Sequence, residues 1–217
     1  MTSFRCAHLA LGFGALLPAA LGLDWGKRTL EIPAAPLQEE VEVTFAFANS
    51  GAKPVTILDI KTNCDCLEAA ADRKTYQPGE RGTLKALFTV GDRLGIYERS
   101  ITVTTDEGGE PVRLAVRVDV PAAAEVTPRT VEWKSGDPAA ARTIELVVAP
   151  EISIKFTQAA ATSPEFVATL EPVEAGRRYR VIITPQSTAT PTSAAVRLRG
   201  KDKSGREVVV SAYAYVR

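Results

Sequence analysis

From Val41 onward, apolar and polar residues alternate along the chain. Val41, Val43, Phe45 and Phe47 are separated by Glu42, Thr44 and Ala46. A period of two is that of a strand with one buried face. Residues 54–61 predict a second strand, with Val55, Ile57 and Asp59 on one face and Thr56, Leu58 and Ile60 on the other. Further strands are predicted over 82–90, 96–104 and 112–120. Turn residues punctuate them at Asn49-Ser50-Gly51, Pro78-Gly79-Glu80 and Asp106-Glu107-Gly108-Gly109. No stretch carries a convincing amphipathic helical period. The pattern predicts an all-β chain of sandwiches.

The pattern then begins again. Thr143–Val148 echoes Val41–Phe47, Arg177–Thr184 echoes Gly82–Val90, and Val208–Tyr215 echoes Val112–Val118. Leu23-Asp24-Trp25 has a counterpart in Val131-Glu132-Trp133. Self-similarity at this spacing predicts two tandem copies of one unit, each near the size of an immunoglobulin-like sandwich. The expected organisation is a first domain over 23–120, a linker over 121–125 and a second domain over 126–217. The two tryptophans are expected to pack inside rather than to form a binding surface.

The N-terminus changes the chemistry available. Arg5 precedes an apolar stretch, Ala7–Leu17, and the small residues Pro18-Ala19-Ala20 and Ala20-Leu21-Gly22 follow. This order predicts a signal peptide over 1–22 and a protein exported to the periplasm or the cell exterior. The apolar stretch is shorter than the roughly 20 residues that span a bilayer. Cleavage would remove Met1, Cys6 and the single histidine, His8. The remaining chain could build no Ser-His-Asp or Cys-His site. The 217 residues hold 26 basic and 26 acidic side chains, and no basic segment is interleaved with aromatics, so nothing points to nucleic acid.

Two cysteines then remain, Cys64 and Cys66, around Asp65. The series Phe45-x-Phe47-x-Asn49-x-Gly51-x-x-Pro54-Val55-x-Ile57, then Cys64-x-Cys66, Pro78-Gly79-Glu80, and Gly95 before Ile101-x-Val103-x-Thr105 resembles a bacterial exported family known as domain of unknown function 1573. The resemblance covers roughly residues 38–120 and implies an immunoglobulin-like sandwich similar to pilus-chaperone and sperm-protein-like domains. It implies no assigned activity. The second half resembles the divergent sandwich that often follows this domain. Where the family usually has Ser-Cys-Gly-Cys-Thr, this chain has Asn63-Cys64-Asp65-Cys66-Leu67.

In an extended strand, residues i and i+2 share a face about 6.6–7 Å apart. A disulfide needs Cβ atoms about 3.5–4.5 Å apart. Cys64 and Cys66 can bond only if the chain kinks at Asp65, a residue that tolerates the left-handed region better than most. So small a ring gains little from loop closure. The aligned place in the second half, Ser163-Pro164-Glu165-Phe166, has no cysteine. Four readings stay open: a local disulfide with no separate role, redox exchange or attachment to a partner, a soft-metal site for copper(I) or zinc, and buried free thiols.

Arg197, Arg199, Lys201 and Lys203 alternate with apolar residues and Gly200. They are expected to share one strand face that could meet an anionic partner, with Arg177, Arg178 and Arg180 as possible additions. The plainer reading is a solvated face. Glu39, Glu40 and Glu42 carry no catalytic spacing. The expectation is a non-enzymatic binding or scaffold protein of the bacterial envelope, without a cofactor, meeting another envelope protein. The alternative is thiol redox or soft-metal handling through Cys64 and Cys66.

Overall fold

The computed structural model describes residues 22–217. The signal peptide expected over 1–22, with Cys6 and His8, lies outside the described residues but for Gly22. Described residues 23–216 contain seventeen strands: β1 (Leu23–Trp25), β2 (Thr29–Pro33), β3 (Glu40–Asn49), β4 (Val55–Thr62), β5 (Leu67–Ala71), β6 (Thr75–Tyr76), β7 (Arg81–Thr89), β8 (Gly95–Thr105), β9 (Val112–Val120), β10 (Ala124–Thr127), β11 (Thr130–Trp133), β12 (Arg142–Val148), β13 (Ile154–Ala161), β14 (Phe166–Glu174), β15 (Arg178–Pro185), β16 (Thr192–Asp202) and β17 (Glu207–Val216). The described residues are all-β, as their alternation predicts. Among the described residues no helix is long and apolar enough to cross a membrane.

The strands form two groups in tandem along the chain, each a β-sandwich of two sheets. The first group has sheets ordered β1-β3-β7-β5 and β2-β9-β8-β4-β6. The second has β10-β12-β15-β14 and β11-β17-β16-β13. Apart from β6, the two groups match strand for strand in order. The expected linker over 121–125 overlaps β10, where Ala124 and Glu125 already pair with Val148 and Val147.

Alternation drives each core. On β3, Val41, Val43, Phe45 and Phe47 are buried. Trp25 lies against Phe47, with ring centroids 4.3 Å apart, and Phe47 meets Tyr76 edge-on at 4.8 Å. Gly82 on β7 lies against these rings, because a Cβ there would run into Tyr76 and Phe47. Asn49 ends β3 buried, yet its amide donates to Lys53 O and Tyr76 O, both at 2.8 Å, and its Oδ1 accepts from Gly51 N. The second core gathers Trp133, Ile144, Leu146, Phe156, Phe166 and Val181. Tyr179 crosses it to accept from Phe156 N and Gly176 N and donate to Ile154 O.

Two expectations are corrected. A bulge between Ile57 and Asp59 leaves Leu58 outside the ladder, 63% exposed. The extra residue moves Asp59 off the face of Ile57 and sets Ile60 opposite buried Val103. The tryptophan echo is not a structural equivalence. Trp25 lies on β1, antiparallel to β3, whereas Trp133 lies on β11, parallel to β17. The counterpart of Leu23-Asp24-Trp25 is Ala124-Glu125-Val126 on β10, antiparallel to β12.

Candidate functional site at the β4–β5 corner

β4 belongs to one sheet of the first sandwich and β5 to the other. Residues 63–66 therefore carry the chain around a corner. Sequence dictates both ends of it. Asn63 docks on β8, its N–H donating to Ser100 O at 3.2 Å while its Oδ1 accepts from Ser100 N at 3.0 Å. Leu67, 2% exposed, re-enters the core and begins β5. Between them Leu67 N donates to Cys64 O at 3.3 Å, closing the turn. Thr62 Oγ1 also donates to Cys64 O.

The turn brings the two cysteines together. Cys64 and Cys66 form a disulfide, with Cα atoms 5.2 Å apart. The predicted kink is present, but its means differ. Leu37 is the one non-glycine described residue with positive φ, so Asp65 does not use the left-handed region. The reversal comes from the hydrogen bond across residues 64–67, which any L-residue at position 65 can accommodate.

The two sulfurs sit in different surroundings. Cys64 is half-buried, whereas Cys66 is 8% exposed. Arg99 Nε, from β8, donates towards Cys66 Sγ at 3.4 Å. Sequence reasoning missed Arg99, which reads there as one more charge in a predicted strand. Only the pairing of β8 with β4, where Ile101 faces Thr62, sets it beside the corner. On the outer surface of β4, Lys61 lies 2.9 Å from Asp59 and holds that carboxyl below its usual range, mainly through their hydrogen bond.

In its disulfide form the pair presents no thiolates to a soft metal. Among the described residues no group of three or more His, Cys, Asp or Glu side chains is placed to hold a metal ion.

The basic residues divide. Arg197, Arg199 and Lys201 share the outer face of β16, and Lys155 of β13 stands opposite Lys201. Lys203 lies beyond the strand, in the turn before β17. Arg199 pairs with Glu207 at 2.9 Å. Arg178 and Arg180 belong to β15 in the other sheet and pair with Glu145 and Glu171, so they do not extend this face. Glu42 pairs with Lys85 on an exposed surface. Both patterns are those of solvated strand faces.

The second sandwich has an equivalent corner. Residues 162–165 join β13 to β14 across its two sheets. Thr162 N donates to Ala195 O at 2.9 Å, and Ala195 N donates to Thr162 Oγ1 at 3.0 Å. Phe166 N donates to Ser163 O at 3.3 Å. Thr162, Ser163, Pro164, Glu165 and Phe166 thus repeat the roles of Asn63, Cys64, Asp65, Cys66 and Leu67. The position that corresponds to Arg99 is Ala194, which is buried.

A family model described as a protein of unknown function (DUF1573) matches residues 23–120, which bears out the resemblance for the first sandwich. A comparison with curated proteins gives no match. Solved structures similar to the chain include a protein of unknown function from Porphyromonas gingivalis W83, at 12% identity over 90% of this chain and 99% of that one, with a TM-score of 0.36. The ASH/PapD-like domain 7 of human CEP192 is similar at 10% identity over 56% of this chain and 99% of that one, TM-score 0.38. The YadV chaperone is similar at 12% identity over 89% of this chain and 100% of that one, TM-score 0.32.

Proposed function

We propose that this protein takes part in thiol–disulfide exchange through Cys64 and Cys66. One observation carries the reading: the β13–β14 corner closes with the same backbone hydrogen bonds and no cysteine. The disulfide is therefore not what makes the corner. Nor is it suited to stabilise the fold, since loop-closure stabilisation grows with ring length and this ring spans three residues. What remains for the pair is its chemistry.

The co-reactant is a protein dithiol. It gives two electrons to the Cys64–Cys66 bond, becoming a disulfide while both cysteines become thiols. Disulfides persist in exported compartments, which fits the signal-like N-terminus and an envelope protein as the partner. The test is a redox titration of the full-length protein in glutathione buffers, read by alkylation and intact mass. A potential within roughly −120 to −270 mV, the span of exchange-active pairs, supports the reading. A potential below about −300 mV, that of inert structural disulfides, overturns it.

A second reading is a non-enzymatic envelope scaffold built of two immunoglobulin-like repeats, the second a divergent copy. The matched strand order of the two groups supports the repeat. The edge position of β14, which exposes Val167 and Val173 beyond buried Phe166, supports docking by strand addition. Loss of partner capture on placing Lys at Val167 and Val173, with thiol exchange intact, would favour this reading over the first.

A further inference from the structure

We propose that Arg99 gives the disulfide a direction: a partner thiolate attacks Cys64 Sγ, and Cys66 leaves as a thiolate held by the Arg99 guanidinium. The inference rests on the exchange reading above and deepens it.

Three observations support it. Cys64 is the more accessible of the two residues, while Cys66 is 8% exposed. Arg99 Nε is 3.4 Å from Cys66 Sγ. Arg99 is held there by its strand, because the next residue, Ser100, exchanges two hydrogen bonds with Asn63 at the base of the corner. In thiol–disulfide exchange the better leaving thiolate sets which sulfur is attacked. A buried thiolate is costly unless a cation pairs with it. Arg99 is that cation, with its guanidinium Nε directed at Cys66 Sγ. The carboxylates of Asp65 and Glu68 also flank the pair, but both residues are exposed, where water weakens their opposing field.

The partner's first thiolate forms a bond to Cys64 Sγ, and the electron pair of the Cys64–Cys66 bond passes to Cys66 Sγ. The partner's second thiolate then attacks its own sulfur in the mixed disulfide. Cys64 is released as a thiolate, and the partner keeps the new disulfide. Each thiolate takes a proton from solvent according to pH.

The test uses full-length oxidised protein and reduced glutathione as the probe. Brief reaction is followed by acid quench, alkylation and peptide mapping. We expect the glutathione adduct on Cys64 at least roughly tenfold over Cys66, and a first step slowed roughly three- to tenfold by Arg99→Met. Arg99→Lys should recover most of the rate, which a merely structural role for Arg99 would not require. An adduct on Cys66, an even split in the wild type, or an Arg99→Met variant that reacts at the wild-type rate overturns the inference. The adduct site is read on the wild type, so the test stands even if a variant misfolds. If the wild-type disulfide does not react at all, the exchange reading itself fails. If exchange proceeds but ignores Arg99, only the present inference fails.

Discussion

The β4–β5 and β13–β14 corners solve the same problem with different contents. Each carries the chain from one sheet of a sandwich to the other. Each docks its first residue on the neighbouring strand by a reciprocal pair of hydrogen bonds, and each drives its last residue, Leu67 or Phe166, into a core. Between these ends one holds Cys-Asp-Cys and the other Ser-Pro-Glu. The third residue also differs in setting: Cys66 is buried beside Arg99, whereas Glu165 is exposed. The backbone of the corner is thus specified by its ends, and its middle is free to carry something else.

The two corners should part most widely at the cysteines. Cys64→Ser with Cys66→Ser should abolish thiol exchange while lowering stability by no more than about 1–2 kcal/mol, the loop-closure value for so small a ring. Urea unfolding with and without reductant measures the second quantity. A loss of 4 kcal/mol or more would make the disulfide structural and the two corners unlike.

A second comparison lies in the buried tyrosines. Tyr179→Phe strips the acceptor from two buried N–H groups, those of Phe156 and Gly176, and should cost about 2–4 kcal/mol. Tyr76→Phe should cost about 1 kcal/mol, because the partners of its hydroxyl, which donates to Asp72 and Arg73 O and accepts from Arg73 N, are only part-buried. The two also separate by pH. Burial, helped by Asp72, pushes the Tyr76 hydroxyl up to about 12 from 10.0. The neutral form is the one the folded state favours. Its contribution is therefore whole below pH 10 and lost as pH rises from about 10 to 12. Alkaline unfolding curves of the wild type and Tyr76→Phe check this, and parallel curves would refute it.

The cysteines can be grafted onto the second corner. Ser163→Cys, Pro164→Asp and Glu165→Cys together should close a second disulfide, because the corner already has the needed turn. With Ala194 where Arg99 would be, the graft should be reduced roughly three- to tenfold more slowly than the native pair. Peptide mapping after a timed reduction reads both bonds in one molecule. Equal rates would remove the cation from the explanation.

The smallest effect concerns the docking residues. Asn63→Ala and Thr162→Ala should each cost about 1 kcal/mol. Only Asn63→Ala should also alter the rate of disulfide reduction, since it alone loosens the strand that carries Arg99. If both variants leave the rate untouched, the placement of Arg99 does not depend on the dock.

Much of this fold was legible because a half-buried strand writes its own period. Val41 to Phe47 is read correctly for that reason. The period misleads over residues 55–60, where one inserted residue, Leu58, reverses the faces that follow. No local signal marks that insertion. The two tryptophans mislead for a different reason. Apolar-acidic-Trp describes what a short strand buries, not which strand it pairs with, and pairing is settled by residues far away. The corner itself was legible, since two cysteines at this spacing can bond only around a kink. Arg99 was not, because it lies 33 positions from Cys66 in sequence and strand register alone joins them.

The reciprocal dock at residue 63 or 162 and the plug at residue 67 or 166 make each corner a socket. Whatever occupies the three intervening positions is held at a sheet-to-sheet crossing without being asked to hold the sheets together. Residues there can change, react or carry an attached group while the sandwich keeps its shape. The same scaffold can thus host different chemistries at one place, and the Cys-Asp-Cys insert is one setting of an exchangeable part.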